Sequence, residues 1–231
     1  MLSLSIVVVV AYVVGSVPTS VIVSRIKHGI DIRDHGSGNA GGTNVIRVMG
    51  LKYGLAVIAF DILKWYVATM LVPKLMYGPI PFTNRTPFDD FTDVQVICGC
   101  AAILGHIWTV FGGFRGGKGM ATAGGMLLGL APIEILISFG VFFLVFVLSR
   151  YVSLGSISAA VAFPVTMFLR ENIFHVEVEG YGTLIFFSIG ISLLLIYTHR
   201  KNIKRLLEGT ESRLISMRTA IRRKNGSRLQ S

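Results

Sequence analysis

The chain has 231 residues, of which 52% are hydrophobic and only 15% charged; its mean hydropathy is +0.68 and its formal net charge +10 at pH 7. No ordinary soluble domain is this apolar, so the composition excludes a soluble protein and points to an all-α, polytopic membrane protein. The opening run from Leu2 to Ser24 has no basic residue ahead of it and is longer than a signal-peptide core, which predicts a retained first membrane helix.

A loop over residues 25–52 follows, with five basic residues against two Asp. Its centre, GSGNAGGTN (36–44), offers four glycines, the hydroxyls of Ser37 and Thr43 and the amides of Asn39 and Asn44, with Arg47 just beyond. Glycines such as Gly38 let successive backbone N–H groups converge into an anion-binding nest, and the side chains add donors around it. A glycine-rich turn that feeds a helix through an Asn or Thr cap has equal support from composition. Arg47 favours the anion site, since it falls about one turn into a helix starting near Thr43, within reach of a bidentate grip on phosphate.

The second span, near 53–72, carries Asp61 and Lys64 three residues apart. Each charge costs about 2.5 to 3.5 kcal/mol at mid-membrane, so the two should pair and face inward. The third span, near 94–110, holds Cys98 and Cys100, whose spacing favours neither a disulfide nor a metal site. It also holds His106, and a packed, hydrogen-bonded histidine is the commoner outcome at such a position.

GHIWTVFGGFRGGKGMAT (105–122) comes next and nearly matches a nucleotide-binding P-loop, with Gly112, Gly117 and Lys118 at the expected spacing. Gly119 stands where the signature requires Ser or Thr, a membrane helix precedes it in place of a strand, and no acidic group is available for magnesium, so ATP binding is rejected. What survives is Arg115 and Lys118 on a backbone that includes Gly116, Gly117 and Gly119 and can approach a ligand closely. Gly124 and Gly125 read as tight helix packing.

Four further spans fall near 120–131, 134–149, 154–169 and 181–198, with Pro132 marking either a hairpin tip or a kink in one long helix. The segment from His199 onward carries ten Lys and Arg against two Glu. With the basic 25–52 loop, it belongs in the cytoplasm by the positive-inside rule, while the loops at 73–93 and 170–180 belong outside. An outside N-terminus and a cytoplasmic C-terminus require an odd number of crossings: seven, or five if 120–149 is a short re-entrant pair. Loop 25–52, the 111–120 turn, the 150–156 connection with Ser153 and the start of the tail then share the cytoplasmic face. No internal repeat is evident, which weighs against an inverted-repeat transporter.

In HRKNIKRLLEGTE (199–211), His199 and Asn202 share a helix face, Arg205 lies within about two turns, and Glu208 and Glu211 follow. Lys201 and Lys204 read as the basic face of a surface helix. The residues from 214 to 231 read as a basic cytoplasmic tail attracted to anionic lipid, separate from the domain formed by residues 1–213.

GSGNAGGTN with Arg47, GH followed by GGKGMAT, and HRKNIKRLLEGTE resemble the three signature motifs of the bacterial acyl-phosphate:glycerol-3-phosphate acyltransferases. AYVVGSVP, DILK and SLGS extend the resemblance, which covers the chain to about residue 213; Gly42 replaces a common alanine and Arg115 a common lysine. The resemblance implies an inner-membrane enzyme of seven helices that moves an acyl group from acyl phosphate to the 1-hydroxyl of glycerol 3-phosphate. The products would be lysophosphatidate and phosphate, the opening of phospholipid synthesis. It implies no cofactor, no metal and no nucleic acid, membrane lipid around the helices, and a functional link to an enzyme that makes acyl phosphate.

Carried over by position, Arg47, Lys118, Ser153, His199 and Asn202 are expected to grip glycerol 3-phosphate. Ser37, Asn39, Thr43 and Asn44 with the Gly116–Gly119 backbone are expected to hold acyl phosphate. Gly38, His106 and Arg205 complete the expected binding set, and His199, Lys118 and Arg47 are expected to carry catalysis. No HxxxxD pair of the soluble-type acyltransferases occurs, since Phe111 follows His106 and Lys204 follows His199 at that spacing. A transporter of organic phosphates would share the cationic cavity, but its site should lie near the bilayer midplane.

Overall fold

The structure, a computed structural model, describes residues 3–213 apart from residues 77, 79, 82, 87 and 179. The tail expected over 214–231 lies outside the described residues. Ten α-helices follow in order: α1 (Leu4–Gly15), α2 (Thr19–His28), α3 (Gly42–Met49), α4 (Leu51–Tyr66), α5 (Asp90–Ile107), α6 (Met120–Leu130), α7 (Pro132–Ser149), α8 (Val152–Asn172), α9 (Tyr181–Thr198) and α10 (Arg200–Leu207). Six stretches are long and apolar enough to cross a membrane: Leu4–His28, Leu51–Leu75, Asp90–Gly112, Pro132–Ser149, Val152–Asn172 and Tyr181–Thr198. At about 1.5 Å per residue, α6 is about 16 Å long, half of a bilayer core.

The first span is broken where a single helix was expected. Pro18 has no N–H to donate and disfavours helical backbone at Val17, so α1 ends and α2 restarts. The carbonyls freed at the break are taken up by other helices: Lys64 Nζ donates to Val17 O at 3.0 Å, and Thr109 Oγ1 donates to Ser16 O. Such breaks persist in apolar surroundings only when the freed groups are satisfied in this way. The same logic operates in α8, where Pro164 leaves Ala160 O without its helical donor and Ser192 Oγ of α9 supplies one.

Pro132 is a hairpin tip. A Cβ added at Gly124 of α6 would meet Phe139 of α7 at 3.3 Å, a distance that one kinked helix could not give residues so far apart in sequence. Helices α1 and α5 pack backbone to backbone, since a Cβ at Gly15 would overlap Ala102 O and one at Gly105 would overlap Tyr12 O. Close approach of this kind replaces the hydrophobic effect as the source of helix association in lipid. The outer surface stays apolar, with Phe143, Leu144, Leu148, Phe186 and Leu193 all more than half exposed. At the end of the bundle away from the site, Glu134 of α7 is 2% exposed and paired with Arg170 of α8.

Candidate functional site

The three motifs meet at one end of the bundle around a cavity of ≈ 260 Å³. Of the expected residues, Ser37, Gly38, Asn39, Gly116, Gly117, Lys118, Asn202 and Arg205 line it. Thr43, Asn44, Arg47, His106, Gly119, Ser153 and His199 stand outside that lining.

The first loop is built around Asn44. Its Oδ1 accepts the Ser37 N–H at 2.8 Å, and its Nδ2 donates to the carbonyls of Ile32, His35 and Asn39 at 3.0, 2.9 and 3.1 Å. That amide is spent holding Ser37, Gly38 and Asn39 against the cavity. Arg33, which sequence reasoning missed, ties this loop to the next motif. Its Nε and Nη2 grip the Asp31 carboxylate at 2.9 and 2.7 Å, and its Nη1 donates to Gly112 O at 2.6 Å and Arg115 O at 3.2 Å. The Arg33 bond holds the Asp31 carboxyl far below the usual carboxylate range despite the opposing cost of burial. The DIRD spacing was its signal: an arginine two residues from an aspartate in a loop is poised for a bidentate grip.

The glycine-rich turn doubles back on the end of α5. Gly116 N–H donates to Ile107 O and Gly117 N–H to His106 O, both at 3.0 Å. Only glycine fits, since a Cβ on Gly116 would overlap the His106 carbonyl and one on Gly117 would overlap the His106 ring. Gly119, at φ +81°, turns the chain into α6. Lys118 therefore projects from a fixed turn. Burial lowers its pKa to about 8, Arg205 and Arg47 push the same way, and Glu211 opposes them.

Where α9 bends into α10, His199 is 2% exposed and its Nδ1 lies 2.7 Å from Leu195 O. A carbonyl only accepts, so Nδ1 carries the proton and Nε2 presents a bare lone pair. Burial, and next Lys118, hold the imidazole to a pKa of about 4, so it is neutral at pH 7.

Glu211, also missed, is the acceptor that organises the third motif. Its Oε1 accepts from Ser153 Oγ and Asn202 Nδ2, and its Oε2 from Arg205 Nε, each at 2.7 Å. Burial pushes its pKa up, but these three donors outweigh it and hold the carboxyl below its usual value. The bonds tie α8, α10 and the 208–213 segment together. Arg47 joins from α3, with Nη2 donating to Ser212 O at 3.3 Å while its buried Nε has no hydrogen-bond partner among the described residues. Burial lowers the Arg47 pKa, with Glu211 opposing, and the group stays cationic.

Arg205 thus grips the Glu211 carboxylate, and Arg47 and Lys118 stand close enough to feel its charge. The expected nest of free N–H groups is not formed, because those of Ser37, Gly38, Gly116 and Gly117 are all spent on acceptors within the protein; the cavity offers cations, side-chain donors and close approach over glycine, with a neutral histidine acceptor nearby. Such a site suits an anion with several oxygens that also carries a hydroxyl.

The family model for glycerol-3-phosphate acyltransferase matches residues 5–209. Relatives of that description include proteins from Chlorobium chlorochromatii, 44% identical over 93% of this chain and 98% of theirs, and Chlorobaculum parvum, 45% identical over 93% and 97%. The fold is similar to the crystal structure of PlsY (YgiH), an integral membrane glycerol 3-phosphate acyltransferase, in its glycerol 3-phosphate form. There the TM-score is 0.73 at 35% identity, covering 94% of this chain and 98% of that one. The lysophosphatidic acid form of PlsY gives 0.71 at 37% identity, over 91% and 94%. With the family model spanning nearly the whole helical bundle and all three motifs gathered at one cavity, this chain belongs to the glycerol-3-phosphate acyltransferase family.

Proposed function

We propose that this protein transfers a fatty acyl group from acyl phosphate to the 1-hydroxyl of glycerol 3-phosphate, releasing 1-acylglycerol 3-phosphate and inorganic phosphate, at the start of phospholipid synthesis. The observation that carries the reading is the cavity itself, where Lys118 and Arg205 meet the glycine-rich turn and the Ser37–Asn39 loop. Both substrates bear a phosphate, and the arrangement offers two kinds of phosphate partner. Arg47, Lys118, Ser153, His199 and Asn202 take glycerol 3-phosphate. Ser37, Gly38 and Asn39, with Thr43 and Asn44 behind them and the backbone of Gly116 to Gly119 opposite, take acyl phosphate.

The substrate hydroxyl oxygen attacks the acyl carbonyl carbon, the bond from that carbon to the bridging phosphate oxygen breaks, and the hydroxyl proton leaves on a phosphate oxygen. The donor is already activated, so the protein contributes alignment and neutralisation of the departing phosphate. The bare Nε2 of His199 accepts a hydrogen bond from the substrate; at a pKa of about 4 its basicity is too weak to drive full proton removal at pH 7. If His199 were instead the general base, His199→Ala would abolish a histidine-like pH profile while leaving glycerol 3-phosphate affinity intact.

Seven passes fit this reading. The short α6, returning through its hairpin into α7, leads from the glycine-rich turn toward the Glu134–Arg170 end, and counted with the six long stretches it gives an odd number of passes. The basic loop 25–52 and the basic segment after α9 support a cytoplasmic site in the inner membrane. Phosphate release by purified protein given palmitoyl phosphate, with and without glycerol 3-phosphate, beside Lys118→Ala, tests the proposal. Release that needs both substrates and vanishes in the variant is expected; equal turnover of palmitoyl coenzyme A would overturn the donor assignment.

A further inference from the structure

One buried charged network lies beneath the site and takes no part in the chemistry above. Asp61, Lys64 and His106 are 4%, 7% and 8% exposed, on α4 and α5. Lys64 Nζ lies 2.8 Å from Asp61 Oδ1, 2.9 Å from His106 Nδ1 and 3.0 Å from Val17 O, and Thr19 Oγ1 donates to Asp61 Oδ1 at 3.1 Å. An ammonium has three N–H donors and no acceptor, and here each finds one acceptor. His106 Nδ1 is therefore the lone-pair side of a neutral ring, and the proton is on Nε2.

That Nε2–H faces the seam between two loops that form the cavity. A Cβ added to Gly117 would overlap His106 Nε2 and would come within 2.8 Å of Ala40 O. Gly117 lines the cavity, as does Asn39 beside Ala40. Among the described residues Nε2 makes no hydrogen bond. A donor polarised by an ammonium on its opposite nitrogen, left without a partner under a phosphate-binding turn, is suited to an anionic oxygen.

We propose that the Asp61–Lys64 pair fixes His106 as the Nε2–H tautomer, and that this N–H donates to a phosphoryl oxygen held at the Gly116–Lys118 turn. His106 is then a ligand-binding donor, with Lys64 and Asp61 as positioning residues acting through it. The inference rests on the phosphate site of the proposed function and adds a charge relay from mid-membrane to that site.

The test separates the two ring nitrogens. His106→Asn places an acceptor near the Nδ1 position and so keeps the Lys64 bond while deleting the Nε2 donor. His106→Gln keeps a donor near the Nε2 position and loses the Lys64 acceptor. Loss of one hydrogen bond to a charged oxygen predicts that His106→Asn lowers kcat/KM about 10- to 100-fold, with His106→Gln nearer wild type. A His106→Asn protein with wild-type kinetics beside an impaired His106→Gln would show a purely structural role and overturn the proposal.

Ring-15N histidine spectra of the full protein in detergent, titrated with inorganic phosphate, give a readout that survives if a variant fails to fold. The signal lost in His106→Gln or His106→Asn should be an Nε2–H tautomer that shifts with phosphate and becomes mixed in Asp61→Asn/Lys64→Met. An Nδ1–H tautomer, or no response to phosphate, would sink the idea. If the wild type turned over neither acyl donor, the proposed reaction would fall while a phosphate-dependent His106 shift would still uphold the donor.

Discussion

Replacing Gly116 by alanine tests whether the glycine-rich turn is fixed by backbone contact. The added Cβ would overlap the His106 carbonyl oxygen and come within 2.7 Å of Ile107 O. Both obstacles are backbone atoms at the end of α5, so no rotamer change relieves them and the turn itself must retreat by at least about 1 Å before the overlap is relieved. That retreat loosens the hydrogen bonds from Gly116 N–H to Ile107 O and Gly117 N–H to His106 O, both 3.0 Å long. At about 1 kcal/mol net each, the stability loss is about 2 kcal/mol, which leaves the helices folded. Lys118 is two residues on and moves with the turn, and a misplacement of about 1 Å costs about 100-fold in rate. The expected result is a kcat/KM for glycerol 3-phosphate about 100-fold below wild type, measured by phosphate release with palmitoyl phosphate, and a small fall in detergent melting temperature. Gly140→Ala in α7, with nothing within 4 Å of the new Cβ, is the control and should change neither. Gly116→Ala activity within about threefold of wild type would refute the claim that backbone contact sets the turn.

The remaining predictions concern charge. Lys118, near pKa 8 in the free protein, is protonated below that pH, and a bound phosphate favours the protonated form. Affinity for glycerol 3-phosphate should therefore hold below about pH 8 and fall up to about tenfold per pH unit above it, a slope that Lys118→Arg should flatten. Glu211→Ala removes the shared acceptor of Ser153, Asn202 and Arg205 and should lower stability by about 3 to 5 kcal/mol, with Glu211→Gln milder because it keeps an acceptor; thermal unfolding in detergent reads both. Lys64→Met leaves the Asp61 carboxylate buried without its counter-charge and should cost about 3 to 5 kcal/mol, most of it recovered in Asp61→Asn/Lys64→Met. Equal melting temperatures for the single and double variants would show that the pair is not coupled.

The membrane class, most of the helical spans and the three stretches that gather at the cavity were legible in the chain alone, although seven spans were expected and six stretches among the described residues are long and apolar enough to cross. Hydropathy is a sum over about 20 neighbouring residues, and glycine or basic clusters are local, so both are legible without a fold. The pairing of Asp61 with Lys64 was legible too, because helical spacing and the cost of an unpaired charge in lipid leave no alternative. What needed tertiary structure were the contacts between residues far apart in the chain. The break at Pro18 reads as helix until Lys64 and Thr109 arrive from other helices to satisfy Val17 and Ser16. Nothing near Asn44 says that its amide is consumed within its own loop, and Glu211 reads as a surface carboxylate until Ser153, 58 residues earlier, donates to it. From spacing alone His106 read as packing, and only the resemblance put it in the binding set, because its partners, Lys64 and Gly117, belong to another helix and to the far side of a turn. A hydrogen bond depends on geometry of a few tenths of an ångström between separate elements, and no local pattern encodes that.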